Sequence, residues 1–497
     1  MMSEIKSDQE VNQRRLTYPK MTAFKSFKNR LSQKIIHIIG RFLRRNKASS
    51  ERSIYQNPLY LAVKEREVEA DQLKVMGDIP QHLNGLLLRI GSNPIYDAQP
   101  TLFEWYLGDG MVHGLKLQHG QPIWFKSKML ATDTVQNYKK QPKIQGFRRG
   151  AHDVVNTNIF RHANQLWAVI EAGAFPICLD DELNAQRYQL FNSDADLPFT
   201  AHPRKDMQTG HLHAICYDAL DTKNANYQVI DEHGKLIHFT QIALNHGPMI
   251  HDCLITEHEV IIFDFPLTFS FEYLRQGKSV PYQWNRQHQA RIGLLAKYGN
   301  AEQIQWIDVD PCFVFHAANA YRDGAGQVIL DVLVHYPDFD HAQHAAYEQQ
   351  NAKLERWIVN VQTQQIKRSR LDERVQEFPK IDERYTGRAY RYLYCIGFQT
   401  ADRFNFLIIH DLLMRQSQTY DFGELWAVGE VTFVAGHEES AEGEGYLMLY
   451  LHHIHGEASK VVILNVNGLS IQPQAEIDLG AHVPLGFHCN WVDLSGT

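Results

Sequence analysis

No uninterrupted apolar run in this chain reaches the ~18 residues that a membrane-crossing helix needs. Nor does it open on an apolar leader of the kind removed on export. Cysteine is sparse: Cys178, Cys216, Cys253, Cys312, Cys395 and Cys489 are six in 497 residues, with no C-x-x-C pair. That spread excludes a zinc ribbon and a thioredoxin-type redox site. Without a leader, the cysteines are expected to be reduced thiols of a cytoplasmic protein. Positive charge is not in excess either. With 50 Lys and Arg against 57 Asp and Glu, the formal net charge is −7, and no general nucleic-acid footprint is expected. There is no clean internal repeat, and no short run of closely spaced His, Cys and carboxylates announces a metal site.

What is present is ordinary in bulk and unusual in detail. A 44% hydrophobic and 22% charged composition belongs to a globular protein with a large core. The 26 His, 25 Phe, 22 Tyr and 8 Trp are the outliers. So many aromatics suit an apolar tunnel, and they suit sheet packing equally.

Two regions differ in character. Residues 1–50 form a basic extension, with eight Lys or Arg and no acid from Met21 to Ser50. Phe24, Phe27, Leu31, Ile35, Ile38 and Phe42 recur every three or four residues, one apolar stripe on a helix. Lys25, Lys28, Arg30, Lys34, Arg41, Arg44 and Arg45 surround it. That profile fits an interfacial helix on an anionic membrane through residues 21–47. A helix docked on its own domain with a solvated basic face carries the same pattern. The acids Glu4, Asp8 and Glu10 fit a transit peptide poorly.

Residues 51–497 read as one β domain. Strand-sized apolar runs lie at His258 to Phe265, Gly326 to Tyr336, Phe404 to Met414, Gly445 to Ile454 and Lys460 to Val466, bounded by Gly, Asp, Asn or Pro. Turns are expected at Asp231 to Gly234 and at Asp323-Gly324. The best helical stretches are His341 to Lys353 and Asp181 to Leu190. Many short strands without βαβ alternation indicate a propeller, barrel or sandwich. The length exceeds a usual sandwich and fits a propeller of several four-stranded blades.

Four histidines sit in four unrelated contexts: His202 in TAHPRKD, His251 in MIHDCLIT, His316 in VFHAANAYRDG and His488 in GFHCNWV. Any site they share must be assembled by the fold. Neutral imidazole suits iron, zinc and copper alike. Three glutamates, Glu171 in WAVIEAG, Glu377 in QEFP and Glu430 in AVGEVTF, stand in apolar or aromatic strand-like contexts. A carboxylate there is costly to bury unless paired, and the N–H of a metal-bound histidine is a suitable partner. His211-x-His213 and His453-x-His455 each point to one face of a strand and are read as structural or surface pairs. Asp252 reads as a hydrogen-bonding partner and Asp109 as a turn residue.

These contexts occur in order with NGLLLRIGSNP (Asn84 to Pro94), WYLGDGMVHG (Trp105 to Gly114), VNTNIF (Val155 to Phe160), LWAVIEAGAFP (Leu166 to Pro176), EFPKIDERYTGRAYRY (Glu377 to Tyr392) and GEVTFVAG (Gly429 to Gly436). Together, from about Pro58 to the C-terminus, they resemble the carotenoid cleavage oxygenase family. The resemblance implies a seven-bladed β-propeller with a helical or loop cap over an axial iron site. It implies one Fe(II) per chain held by His202, His251, His316 and His488. Glu171, Glu377 and Glu430 would support three of them, His202 being the one without a carboxylate.

The implied reaction is oxidative cleavage of a carbon–carbon double bond by O₂, giving two carbonyl products, with no obligatory acid–base residue beyond the iron centre. Phe103, Tyr106, Phe315 and Trp491 neighbour the matching motifs and are the expected tunnel liners. A carotenoid or apocarotenoid is the favoured substrate, and a hydroxystilbene the alternative. A hydroxystilbene needs a phenol anchor, for which the sequence offers Tyr106 with Lys126 or Lys128. Nothing favours a retinoid isomerase. Two rivals of other classes are a propeller hydrolase such as a lactonase, whose sites are carboxylate-rich and suit calcium, and a non-catalytic binding propeller.

Overall fold

Short apolar runs separated by turn residues fold here as antiparallel ladders between chain neighbours. The computed structural model describes residues 16–45, 57–63, 67–95, 105–276, 280–336, 351–399 and 403–495. Seven sheets follow one another around an axis as the blades of a propeller, with one extra two-stranded ribbon, Leu267–Phe269 with Tyr282–Trp284.

Blade 1 carries Gly85–Ser92, Gly110–Gln118 and Gln121–Met129. Blade 2 runs outward from Asn158–His162 through Gln165–Val169 and Ile177–Leu179 to Ala185–Tyr188. Blade 3 runs from Arg204–Lys205 to Leu236–Ala243, and blade 4 from Leu254–Ile255 to Gln305–Asp308. Blade 5 runs from Phe313–Arg322 to Gln365–Arg370, and blade 6 from Gln376–Lys380 to Gln416–Asp421. Blade 7 is built on Thr432–Ala435, Glu444–His453, Ser459–Asn467 and Ser470–Asp478.

The ring is clasped twice. The late strand Cys489–Asp493 becomes the innermost strand of blade 1, pairing Cys489 with Arg89 and Asp493 with Gly85. The early strand Lys74–Gly77 becomes the outermost strand of blade 7, pairing Lys74 with Asp478.

The core lies between blades rather than at one centre. Ile215, Tyr227, Val260, Phe313, Val332 and Trp357 belong to one cluster linking blades 3, 4 and 5. A second cluster joins blades 1 to 3, a third blades 6 and 7, and a fourth blades 7 and 1. A blade is therefore covered on both faces. All eight residues of Val328–His335 and of Gly85–Ser92 are buried. That is why these strands read as continuous apolar runs and not as alternating ones.

The turn signals hold. At 231–235 the Asp231 carboxylate accepts the His233 and Lys235 backbone N–H groups at 3.0 and 2.7 Å, and Gly234 takes φ +81°. At 323–327 Asp323 does the same for Ala325 and Gln327. The helical reading of Asp181 to Leu190 does not hold. Asp180 accepts from the backbones of Glu182 and Asn184, Leu183 turns to φ +64°, and Ala185–Tyr188 pairs with Ile177–Leu179 as a strand. The Asx turn and the sheet edge outweigh helix propensity there. Of His341 to Lys353, positions 341–350 lie outside the described residues, and Lys353 opens the strand Lys353–Asn360.

Successive strands of a blade alternate in direction. Chain that leaves a second or an outer strand therefore returns to the face at which inner strands begin. The segments 130–157 and 265–290 lie on that face, whereas connections on the other are shorter, from the tight turns at 163–164 and 361–364 to the longer 381–391. The cap over the axis is mostly loop. It includes the ribbon and two short helices, Asp133–Lys139 and Phe271–Arg275, capped by Thr132 and Ser270.

The remaining described α-helix, Ala23–Arg45, is held against blade 2 by polar groups. Ser26 accepts from the Arg148 backbone at 2.8 Å, Asn29 donates to the Arg148 carbonyl at 3.0 Å, and Gln33 donates to the carbonyls of Arg149 and His152. Lys25 pairs with Asp196 at 3.0 Å. The described part of the apolar stripe faces outward: Phe24 is 76% exposed and Phe27 65%, with Leu31 and Ile35 also exposed. No described helix is long and apolar enough to cross a membrane.

Candidate metal centre

Each of the four histidines stands where an innermost strand begins or runs near the axis. His202 precedes Arg204–Lys205, His251 precedes Leu254–Ile255, His316 lies in Phe313–Arg322, and His488 precedes Cys489–Asp493. Blades 3, 4, 5 and 1 thus each contribute one imidazole. One ring nitrogen from each falls within 4.8 Å of the others. His202 Nε2 and His251 Nε2 are 3.1 Å apart, and His251 Nε2 and His316 Nε2 are 3.2 Å apart. Metal–nitrogen bonds of ~2.0–2.2 Å put adjacent ligand nitrogens about 3 Å apart and opposed ones about 4 Å apart.

The far nitrogens are fixed by carboxylates. His316 Nδ1 donates to Glu377 Oε2 at 2.6 Å, and His488 Nδ1 to Glu430 Oε1 at 3.0 Å. His251 Nδ1 lies 2.9 Å from Glu171 Oε2. An ionised carboxylate only accepts, so His316 and His488 carry their proton on Nδ1 and turn a bare Nε2 lone pair inward, whereas the His251–Glu171 contact is close but lacks hydrogen-bond geometry. Converging lone pairs at 3.1–3.2 Å repel unless a cation or a proton lies between them. The donor set therefore fits a metal ion, and four neutral imidazoles leave its charge undiminished.

The titration behaviour agrees. Burial and the neighbouring histidines hold His202 well below the usual imidazole value. Burial pulls His488 down to about 4 in spite of Glu430. Burial also lowers His251, but Glu171 outweighs it and raises the group above 6.5. Glu377 would be raised by burial, yet His316 and His335 hold it far below the carboxylate range.

The carboxylates are not equally braced. Glu377 is 1% exposed. It also accepts from the Phe378 backbone at 2.7 Å and from His335 Nε2 at 2.9 Å. Phe378 reaches that contact at φ +55°, in a bulge between Glu377 and Lys380, a strained conformation for a bulky residue. Glu430 is 3% exposed and also accepts from the Cys489 backbone at 2.5 Å. Among the described residues no carboxylate pairs with His202, whose backbone N–H donates to Thr200 Oγ1. Asp252 lies beside the site but not in it, binding Arg204 at 2.6 Å and the backbones of Cys253 and Ala317.

The local pairs stay outside the group. His211 binds Glu232 and Tyr298, His213 binds Tyr227, and the His453 ring packs on Trp426. Of the tunnel residues, Phe315 has its ring 5.2 Å from that of His251. Tyr106 stacks at 6.0 Å on Phe487, the neighbour of His488. Phe103 lies outside the described residues. Trp491 packs between blades 7 and 1 with Leu87 and Tyr450. Along Cys489–Asp493 the odd positions face blade 7, while Asn490 and Val492 face blade 2.

Sequence reading missed Phe378, whose ring stacks 5.0 Å from His316, and Phe487, 4.3 Å from Trp105. The signal was adjacency, since each directly neighbours a singled-out residue. Lys126 and Lys128 are not free to anchor a phenol. Lys126 is tied to Glu69 and Glu182, and Lys128 to the Glu182 carbonyl and Asn184.

Comparison with known proteins bears on this site. Residues 62–493 match the family described as retinal pigment epithelial membrane protein. The chain is similar to a carotenoid cleavage oxygenase of Mycobacterium tuberculosis, with 30% identity over 88% of this chain and 97% of the relative. It is similar to an isoeugenol monooxygenase of Pseudomonas nitroreducens, with 28% identity over 86% and 95%. Its fold matches the crystal structure of Pseudomonas brassicacearum lignostilbene dioxygenase with a TM-score of 0.79 at 23% identity, covering 90% of this chain and all of that one.

Proposed function

Since the chain belongs to the carotenoid cleavage oxygenase family, the one described by the retinal pigment epithelial membrane protein profile, we propose that this enzyme is a non-haem Fe(II) dioxygenase. It cleaves a double bond of a carotenoid or apocarotenoid to two carbonyl products. The observation that carries the reading is the all-imidazole donor set, four histidines with no carboxylate among them. A ferrous ion there supplies the activation of O₂. His202, His251, His316 and His488 hold it, and Glu171, Glu377 and Glu430 orient three of those rings. Phe315 and Phe378, each within about one ring width of a ligand, give the site an apolar wall. That wall suits a hydrocarbon chain and keeps water away.

The isoeugenol monooxygenase relative keeps a second reading in view, a phenolic alkene such as a hydroxystilbene. The polyene is favoured because both lysines near Tyr106 in sequence are already paired. A carboxylate-ligated calcium hydrolase is disfavoured by the donor set.

The outward stripe of Phe24, Phe27, Leu31 and Ile35, beside Lys28, Arg30 and Lys34, supports contact of this cytoplasmic enzyme with an anionic bilayer. Polyenes reside in such bilayers.

The test is anaerobic loading with Fe(II), followed by O₂ uptake and product masses on carotenoids, apocarotenoids and hydroxystilbenes. Carbonyl products summing to polyene plus two oxygens are expected. Cleavage of stilbenes alone favours the second reading, and calcium binding without O₂ uptake overturns both. For the membrane contact, Phe27→Glu with Leu31→Glu should abolish sedimentation with vesicles of anionic lipid and spare turnover of detergent-dispersed substrate. Undiminished sedimentation removes that contact.

A further inference from the structure

Among the three supporting carboxylates, Glu430 alone has a lysine or arginine within 4.0 Å among the described residues. Lys380 Nζ lies 3.7 Å from Glu430 Oε1, the same oxygen on which His488 Nδ1 rests at 3.0 Å. The other oxygen takes the Cys489 backbone N–H.

Lys380 ends the innermost strand of blade 6, just past the bulge at Glu377 and Phe378. Its ammonium is also 3.3 Å from Asn490 Oδ1. The Asn490 amide in turn donates to Asn158 Oδ1 and to the Ile159 carbonyl, so the lysine is braced from blades 1 and 2. With its side chain 18% exposed, it is held beside the axis instead of reaching into solvent.

We propose that Lys380 is a positioning residue that limits how strongly Glu430 makes His488 donate to the metal. The physical reason is competition for one oxygen. A carboxylate that keeps its full negative charge for an imidazole N–H makes the ring more basic at the opposite nitrogen. A cation on the same oxygen withdraws part of that charge and adds its own positive potential near the site. His488 is accordingly the ligand whose donation is curbed, while His316 rests on a carboxylate with no such cation. A weaker donor at one position favours the ferrous over the ferric ion and protects a site that must meet O₂ while reduced.

The inference rests on the iron reading, and its sign differs from that of ordinary damage. Removing Lys380 should tighten Fe(II) binding, because a positive charge leaves the neighbourhood of a cation. It should also hasten oxidation of the bound iron. Lys380→Gln removes the charge and keeps a polar group for Asn490, and Lys380→Met removes both. Lys380→Arg restores the charge.

The readouts are Fe(II) affinity by chelator competition and the rate at which the bound ion turns ferric in air. The glutamine and methionine variants are expected to bind Fe(II) on the order of 10-fold more tightly and to oxidise faster, with arginine close to wild type. Weaker iron binding in both variants means that the lysine is merely structural and overturns the inference. So does an unchanged affinity and oxidation rate in the glutamine variant. A wild-type chain that takes up no Fe(II) overturns the iron reading itself, whereas one equivalent bound with unshifted variants overturns only this inference.

Discussion

The wall of the metal centre built by blades 5, 6, 7 and 1 differs from the wall built by blades 2, 3 and 4. On the first, Glu377 and Glu430 are almost wholly buried, and each accepts a backbone N–H besides its histidine. On the second, Glu171 is partly exposed, at 17% of its side chain, and among the described residues no carboxylate pairs with His202. One wall is fixed by hydrogen bonds that the fold itself supplies. The other holds its imidazoles through less. The difference teaches that four chemically identical ligands need not be equivalent. A metal ion held there would be placed by the braced side, and the looser side would have room to adjust to it.

Removing a braced ligand is the harshest way to try this comparison. His316→Ala should abolish stoichiometric iron and activity together, and His202→Ala should retain more iron than His316→Ala. Metal analysis of the two purified variants decides it, and equal loss would erase the distinction between the walls. Next come the carboxylates. Glu377→Gln is expected to lower iron affinity toward ~100-fold and Glu171→Gln nearer ~10-fold, the two ends of the range for such partners. A reversed order in chelator competition would break the comparison.

The smallest effect is in pH. In the metal-free protein, Glu171 raises His251 above 6.5, whereas His488 stays neutral down to about 4. A raised imidazole stabilises the metal-free fold fully below the unfolded value of 6.5 and stops doing so as pH rises through the folded value. Metal binding needs that same nitrogen deprotonated. Iron affinity should therefore begin to fall as pH drops through neutrality, with His251 on the looser wall taking the proton first. Glu171→Gln should move that fall to lower pH, and an unmoved profile in affinity titrations from pH 8 to 5 would assign the proton elsewhere.

Much of the fold and of the site is legible in the sequence. The ordered motifs led to the propeller and to residues the fold does bring together, because ligands on inner strands sit in stretches whose backbone and side chains are both constrained. Asp181 to Leu190 misled because an Asx turn at Asp180 and a sheet edge outweigh local helix propensity. Trp491 lies close to His488 in sequence, but strand alternation turns it toward blade 7. Phe378 is not legible because a left-handed backbone at one residue, which no pattern in QEFP announces, stacks its ring on His316. Lys380 lay in plain view within EFPK, yet its contact with Glu430 joins residues from different blades that only ring closure brings together.

The strand that closes the ring begins one residue after His488. Until Cys489–Asp493 is zipped onto Gly85–Ser92, the fourth imidazole has no address. Four-point retention of a metal ion would therefore wait on ring closure. A chain whose clasp is unformed would offer three imidazoles in place, and a product truncated before residue 488 would lack the fourth. The clasp would thus reserve tight metal retention for chains whose ring is closed.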